Sequence, residues 1–110
     1  MFYMLSCFNL KPGLSIDIFE LSYSAFVEEM KLAGLVQSAG KIGRRQKDTP
    51  MDTDNERDHE YFVEMSFSDR TQVDRAYAHI MQHIEPGEKT HDSVYSKVAD
   101  PIFICWQDIN

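Results

Sequence analysis

Four histidines, one glutamate set in an apolar strand pattern and two cysteines are the side chains of this 110-residue sequence that could do chemistry. In YFVEMSF, residues 61 to 67, strict alternation puts Glu64 on the opposite side of a strand from Tyr61, Val63 and Met65. A carboxylate in a mostly apolar cavity has its pKa raised by desolvation and can then carry a proton. The competing arrangement is an ion pair with Arg44 or Arg45 from a neighbouring strand, which would be structural. His91 lies in a polar stretch just ahead of the last apolar segment, where a loop sits at one end of a sheet, and imidazole titrates near neutrality. Glu64 and His91 are therefore the expected catalytic pair.

The other candidates read differently. His79 and His83 are four apart on a helical pattern and could chelate an ion, but no Cys or carboxylate ligand pattern accompanies them. They read as a partly solvated pair, and no metal is expected. His59 falls in an acidic loop. Cys7 and Cys105 lie in strand-like segments without the flanking base of a nucleophile, so they read as buried free thiols of a reducing compartment. No phosphate-binding glycine loop, hydrolase elbow or zinc motif is present, and no cofactor is expected.

The elements that must hold these groups follow from periodicity. FYMLSCFNL, residues 2 to 10, is an apolar strand ended by Lys11-Pro12-Gly13. Ser15 then caps a helix whose apolar face is Phe19, Tyr23, Phe26, Val27, Met30 and Ala33, and Gly34 suits its left-handed end. Residues 35 to 45 read as a second strand with bulges or curvature at Gly40 and Gly43. Residues 46 to 60, with Met51 as their one large apolar side chain, read as a mobile acidic hairpin loop. After the strand 61 to 67, Asp69 and Gln72 form a capping-box pattern ahead of a helix with a Val73, Ala76, Tyr77, Ile80, Met81, Ile84 stripe, stopped by Pro86-Gly87. Residues 88 to 101 read as a polar loop with a helical turn near 93 to 98, and IFICWQDI, residues 102 to 109, as the last strand. The order βαββαβ in one domain, 1 to 110, is that of an α+β ferredoxin-like fold: two helices on one face of a four-stranded antiparallel sheet.

The second sheet face then needs a cover. Phe2, Met4, Phe8 and Leu10 with Tyr61, Val63, Met65, Phe67, Ile102, Ile104 and Trp106 form the better core and are expected under the helices. Tyr3, Leu5, Cys7, Asn9, Phe62, Glu64, Ser66, Phe103, Cys105 and Gln107 are expected on the other face. That set is too apolar for solvent, and no third helix is long enough to cover it. A homodimer with the two sheets face to face resolves this. Tyr3, Asn9, Phe62, Phe103 and Gln107 would line the lumen as ligand-binding residues.

The opening strand with LKPGLSIDIFELSYSAF, the helix end AGLVQSAGKIGRR and the closing THDSVYSKVADPIFICWQDI together resemble the dimeric α+β barrel superfamily, and within it the EthD-like and stress-responsive barrel domains. The acidic insertion 46 to 60 and the lack of a histidine-rich loop after the first helix depart from many EthD-like members. The resemblance implies relatives that include cofactor-independent oxygenases, haem-degrading enzymes, isomerases and proteins without known activity.

Charge and hydropathy narrow the partners. A net charge of -7 argues against nucleic acid, whose phosphates need a basic surface. No apolar run reaches the ~20 residues of a membrane span, and the N-terminus lacks a signal-peptide pattern. The expectation is a cytoplasmic homodimer that binds a hydrophobic or aromatic small molecule in its lumen, in one form as a cofactor-independent oxygenase. The alternative is a non-catalytic homodimeric structural or stress-associated module.

Overall fold

A nine-residue strand, β1 (Phe2–Leu10), forms the middle of the sheet in the computed structural model, which describes residues 1–110. Helix α1 (Ile16–Leu32) starts where Ser15 leaves extended backbone and its hydroxyl accepts from the Ile18 N–H at 3.3 Å. Phe19, Tyr23, Phe26 and Met30, at spacings of 4, 3 and 4, form its buried stripe. Gly34 follows at φ +72°, a conformation that side chains disfavour.

The expected second strand is broken in two. β2 (Ser38–Ala39) and β3 (Gly43–Arg44) pair with successive parts of β4 (Tyr61–Phe67), and residues 40–42 form the kink between them. Helix α2 (Arg70–Met81) begins at Asp69, whose carboxylate accepts from the Gln72 N–H at 2.8 Å; Gln72 Oε1 in turn accepts from the Ser68 N–H at 2.7 Å. The side-chain amide of Gln72 also donates to the Gly34 carbonyl, which joins the ends of the two helices. The α2 stripe is narrower than its pattern implies: Ala76 is buried, while Tyr77, Met81 and Ile84 remain exposed.

A third helix, α3 (Glu88–Tyr95), begins earlier than the expected turn and packs on α1, with Ser93 Oγ 3.2 Å from Ser22 Oγ and Thr90 Oγ1 3.0 Å from Glu29 Oε2. The last strand, β5 (Val98–Gln107), likewise starts four residues before the apolar run that announces it.

The sheet is antiparallel in the order β2-β4-β1-β5, with β3 extending the β2 edge, which is the ferredoxin-like α+β topology. Phe8 is the hub of the core, with ring centroids 4.8 Å from Phe19 and 5.7 Å from Tyr61. The molecule is a slab of 40 × 40 × 19 Å. Nineteen ångströms is one sheet plus one layer of helices, each about 10 Å thick, so no second layer covers the far face.

The register corrects one expectation. Side chains of directly paired residues share a face. Tyr3 pairs with Trp106, Leu5 with Ile104 and Cys7 with Ile102, while Phe2 pairs with Gln107, Met4 with Cys105 and Ser6 with Phe103. Ile102, Ile104 and Trp106 therefore lie on the far face, and Phe103, Cys105 and Gln107 on the helix side. This reverses the expectation for Phe103 and Gln107. Both alternating sets of this strand are largely apolar, so its own pattern could not choose between them.

The composition that marks residues 46–60 as a mobile loop hides a side-chain clasp. Arg45, its side chain 7% exposed, donates Nε to Asp52 Oδ2 and Nη2 to Asp52 Oδ1, both at 2.8 Å. The same guanidinium also donates to the backbone carbonyls of Asp54 and Arg57. A bidentate carboxylate and two carbonyls replace water around one buried cation and fix the loop's path. Arg45 holds the Asp52 carboxyl down at about 2.

Candidate functional site

The far face of the sheet is a grid of side chains that no helix covers. One row runs Ser66, Tyr3, Trp106; the next Glu64, Leu5, Ile104; the third Phe62, Cys7, Ile102. The Tyr3 and Trp106 rings stack at 5.4 Å. Ile102, Ile104 and Trp106 stay 38–41% exposed, a contiguous apolar patch of the kind that marks an interaction surface. Cys7, in the middle of the third row, is buried, and burial pushes its thiol pKa up; the charges of Arg57, Asp54 and Arg45 in the clasped segment adjoin it. That segment therefore closes one end of the face.

Glu64 is the one carboxylate in this grid, and it is exposed. Neither expected partner reaches it. Arg44 lies over the Tyr61 ring and donates to its hydroxyl at 3.2 Å, and Arg45 is committed to Asp52. Glu64 makes no ion pair.

His91 does not join Glu64. It sits on α3 in the helical layer, its ring 5.4 Å from Phe26 and 5.8 Å from Tyr95, and burial there lowers its pKa. Phe26 belongs to the core on the helix side, so the sheet separates His91 from the far face. Tyr3 is on the far face and donates its hydroxyl to Asp108 at 3.3 Å. Asn9 is also there, accepting from the Glu60 N–H at 2.8 Å.

The imidazole that does stand at the end of the far face is His59. A concavity of about 390 Å³ is lined by Asn9, Asp58, His59, Asp100, Pro101 and Ile102. His59 is 6% exposed, its Nε2 lies 2.7 Å from the Asp100 carbonyl, and its Nδ1 is shielded and has no partner. Asp100 stands at φ +54° in a bulge, where β5 steps from Ile102 opposite Cys7 to Ala99 opposite Asn9. The polar composition of residues 46 to 60 concealed this residue; the one local signal was a histidine two residues ahead of a strand. No group of three or more His, Cys, Asp or Glu side chains converges as a metal ion would require, and no helix is long and apolar enough to cross a membrane.

Comparison with solved structures places this fold among known ones. A protein of Arabidopsis thaliana, At3g17210, superposes with a TM-score of 0.75 at 12% identity over 100% of this chain and 97% of its own. SnoaB, a cofactor-independent oxygenase from Streptomyces nogalater, gives 0.67 at 11% identity over 99% and 93%. A dimeric ferredoxin-like protein of unknown function from Jannaschia sp. CCS1 gives 0.65 at 13% over 97% and 98%. At such identities the likeness is one of fold. No curated protein matches the sequence. The family model of DUF6614, a family of unknown function, matches residues 1–108, and the chain belongs to that family.

Proposed function

We propose that two copies pack far face to far face and bind a hydrophobic or aromatic small molecule in the lumen between their sheets. The observation that carries this reading is the uncovered patch of Tyr3, Leu5, Phe62, Ile102, Ile104 and Trp106 with a single unpaired carboxylate, Glu64, among them. Dimeric neighbours of the same fold support it. Ile102, Ile104 and Trp106 take the lining positions first expected of Phe103 and Gln107. With a second sheet over this face, Glu64 is the one carboxylate in its grid that a bound ligand meets, and a carboxylate there can accept a proton from it. In the oxygenase form of the reading, supported by the fold of SnoaB, Glu64 would take the proton that must leave the substrate before it meets dioxygen.

The alternative is a non-catalytic homodimer. It is favoured by the size of the groups on this face: Tyr3, Phe62 and Trp106 from two sheets can fill the lumen themselves. The deciding experiment is a thermal-shift screen of phenols and quinones against the wild-type chain and Glu64→Gln. A compound that raises the Tm of the wild type and does so less in Glu64→Gln supports the lumen reading. No protection by any compound, with the dimer intact, favours the non-catalytic module.

A further inference from the structure

We infer that the concavity at the end of the far face is a binding site in which His59 anchors the hydroxyl of a neutral hydroxylated ligand, a phenol being the simplest member of the class. The inference rests on the lumen reading and adds where and how the ligand is held.

The hydrogen bond to the Asp100 carbonyl fixes which nitrogen of His59 carries the proton. A carbonyl oxygen can only accept, so the nitrogen facing the Asp100 carbonyl carries the proton. In the neutral ring Nδ1 is then a bare acceptor, and it has no partner in the protein. A buried polar atom left unpaired is costly and calls for an explanation. A ligand O–H supplies the missing donor.

Asn9 supplies the complementary group. Its Oδ1 is occupied by the Glu60 N–H, which leaves the amide NH₂ without a protein acceptor in the lining of the same concavity. An oxygen that donates to His59 and accepts from Asn9 is a hydroxyl. Asp58 and Asp100 line the same cavity and disfavour an anionic ligand, while Ile102 leads from it onto the apolar far face. Entry requires the shielded Nδ1 to be uncovered. The Asp100 carbonyl must keep its bond to Nε2, so the wall that yields is the Asp58 side of the concavity, where the side chain is 93% exposed.

The test compares 4-ethylphenol with its methyl ether, 4-ethylanisole, on ¹⁵N-labelled wild-type protein, following the ring nitrogens of His59 and the indole N–H of Trp106 by NMR. The expected result is a saturable shift of His59 Nδ1 with 4-ethylphenol and binding at least about tenfold weaker for the ether, the loss expected for one buried acceptor left unpaired. Asn9→Asp keeps the acceptor for Glu60 and removes the NH₂ donor, so it should weaken the phenol at least about fivefold. Equal affinity for the two compounds, or a moving Trp106 signal with His59 unmoved, overturns the role of His59 and leaves the lumen reading standing. If neither signal moves with either compound, both readings fail.

Discussion

Placing a lysine at Ile104 tests both the proposed dimer and the register of β5. Ile104 stands on the far face, two strands from Glu64, so the new ammonium has no carboxylate in the adjacent cross-strand position to relieve it. The side chain is 38% exposed in the single chain. Full burial of an isoleucine is worth about 1.5–3 kcal/mol, so covering the remaining two-fifths gives about 0.6–1.2 kcal/mol per copy. A two-fold interface uses the residue twice, which makes about 1–2 kcal/mol. Burying an ammonium without a partner adds at least about 1 kcal/mol for each copy. The sum, about 3–4 kcal/mol, corresponds to a dimer dissociation constant raised about 10²- to 10³-fold. Sedimentation equilibrium should show the 12.8 kDa chain alone at concentrations where the wild type is paired, with an unchanged far-ultraviolet circular dichroism spectrum. Leu21→Lys, on the solvent side of α1 where leucine is already 74% exposed, is the control and should leave the dimer intact. An Ile104→Lys protein that dimerises like the wild type would refute the far face as the interface, and a dimer lost in Leu21→Lys instead would move the interface to the helices.

Three further outcomes are expected. Lowering the pH should release the clasp late. The Asp52 carboxyl is depressed in the folded state from 3.8 to about 2, so the stabilisation it brings is fully present above about pH 4 and is lost as pH falls through about 2; an Arg45 Hε resonance that broadens into solvent exchange already at pH 5 would contradict this. Replacing Arg45 by Lys, which cannot bridge both Asp52 oxygens and two carbonyls, should speed proteolytic cleavage within residues 46–60 several-fold, and an unchanged rate would mean that the segment is held by other contacts. Tyr23→Phe should leave Tm unchanged or raise it by a few degrees, because the Tyr23 hydroxyl is buried without a partner and removing it leaves no other group unpaired; a drop of more than about 5 °C would reveal a hydrogen bond to an ordered water.

Much of the fold follows from the sequence by itself because its signals are local. Ser15 and Asp69 cap helices because each offers a side-chain oxygen to a free N–H three residues on, and the stripe of Phe19, Tyr23, Phe26 and Met30 must lie on one side of α1 whatever it packs against. The order of strands and helices, and the surplus of apolar side chains over what one helical layer can cover, are legible in the same way. The orientation of β5 is not. Ile102, Ile104 and Trp106 alternate with Phe103 and Cys105, and only pairing with β1 across the bulge at Asp100 decides which set faces the helices. A one-residue slip there exchanges the faces, since side chains in a strand alternate with period two.

The candidate site depended still more on tertiary structure. Glu64 lacks its expected partners because Arg44, at the end of β3, is taken by Tyr61, and Arg45, just past it, is taken by Asp52. His59, not His91, stands at the end of the far face because burial is a property of the assembled chain. α3 docks on α1 and takes His91 into the helical layer, while a polar segment folded around one arginine carries His59 to the end of the sheet. Composition along the chain cannot register either event, because each depends on contacts between residues far apart in sequence: Phe26 with His91, and His59 with Asp100.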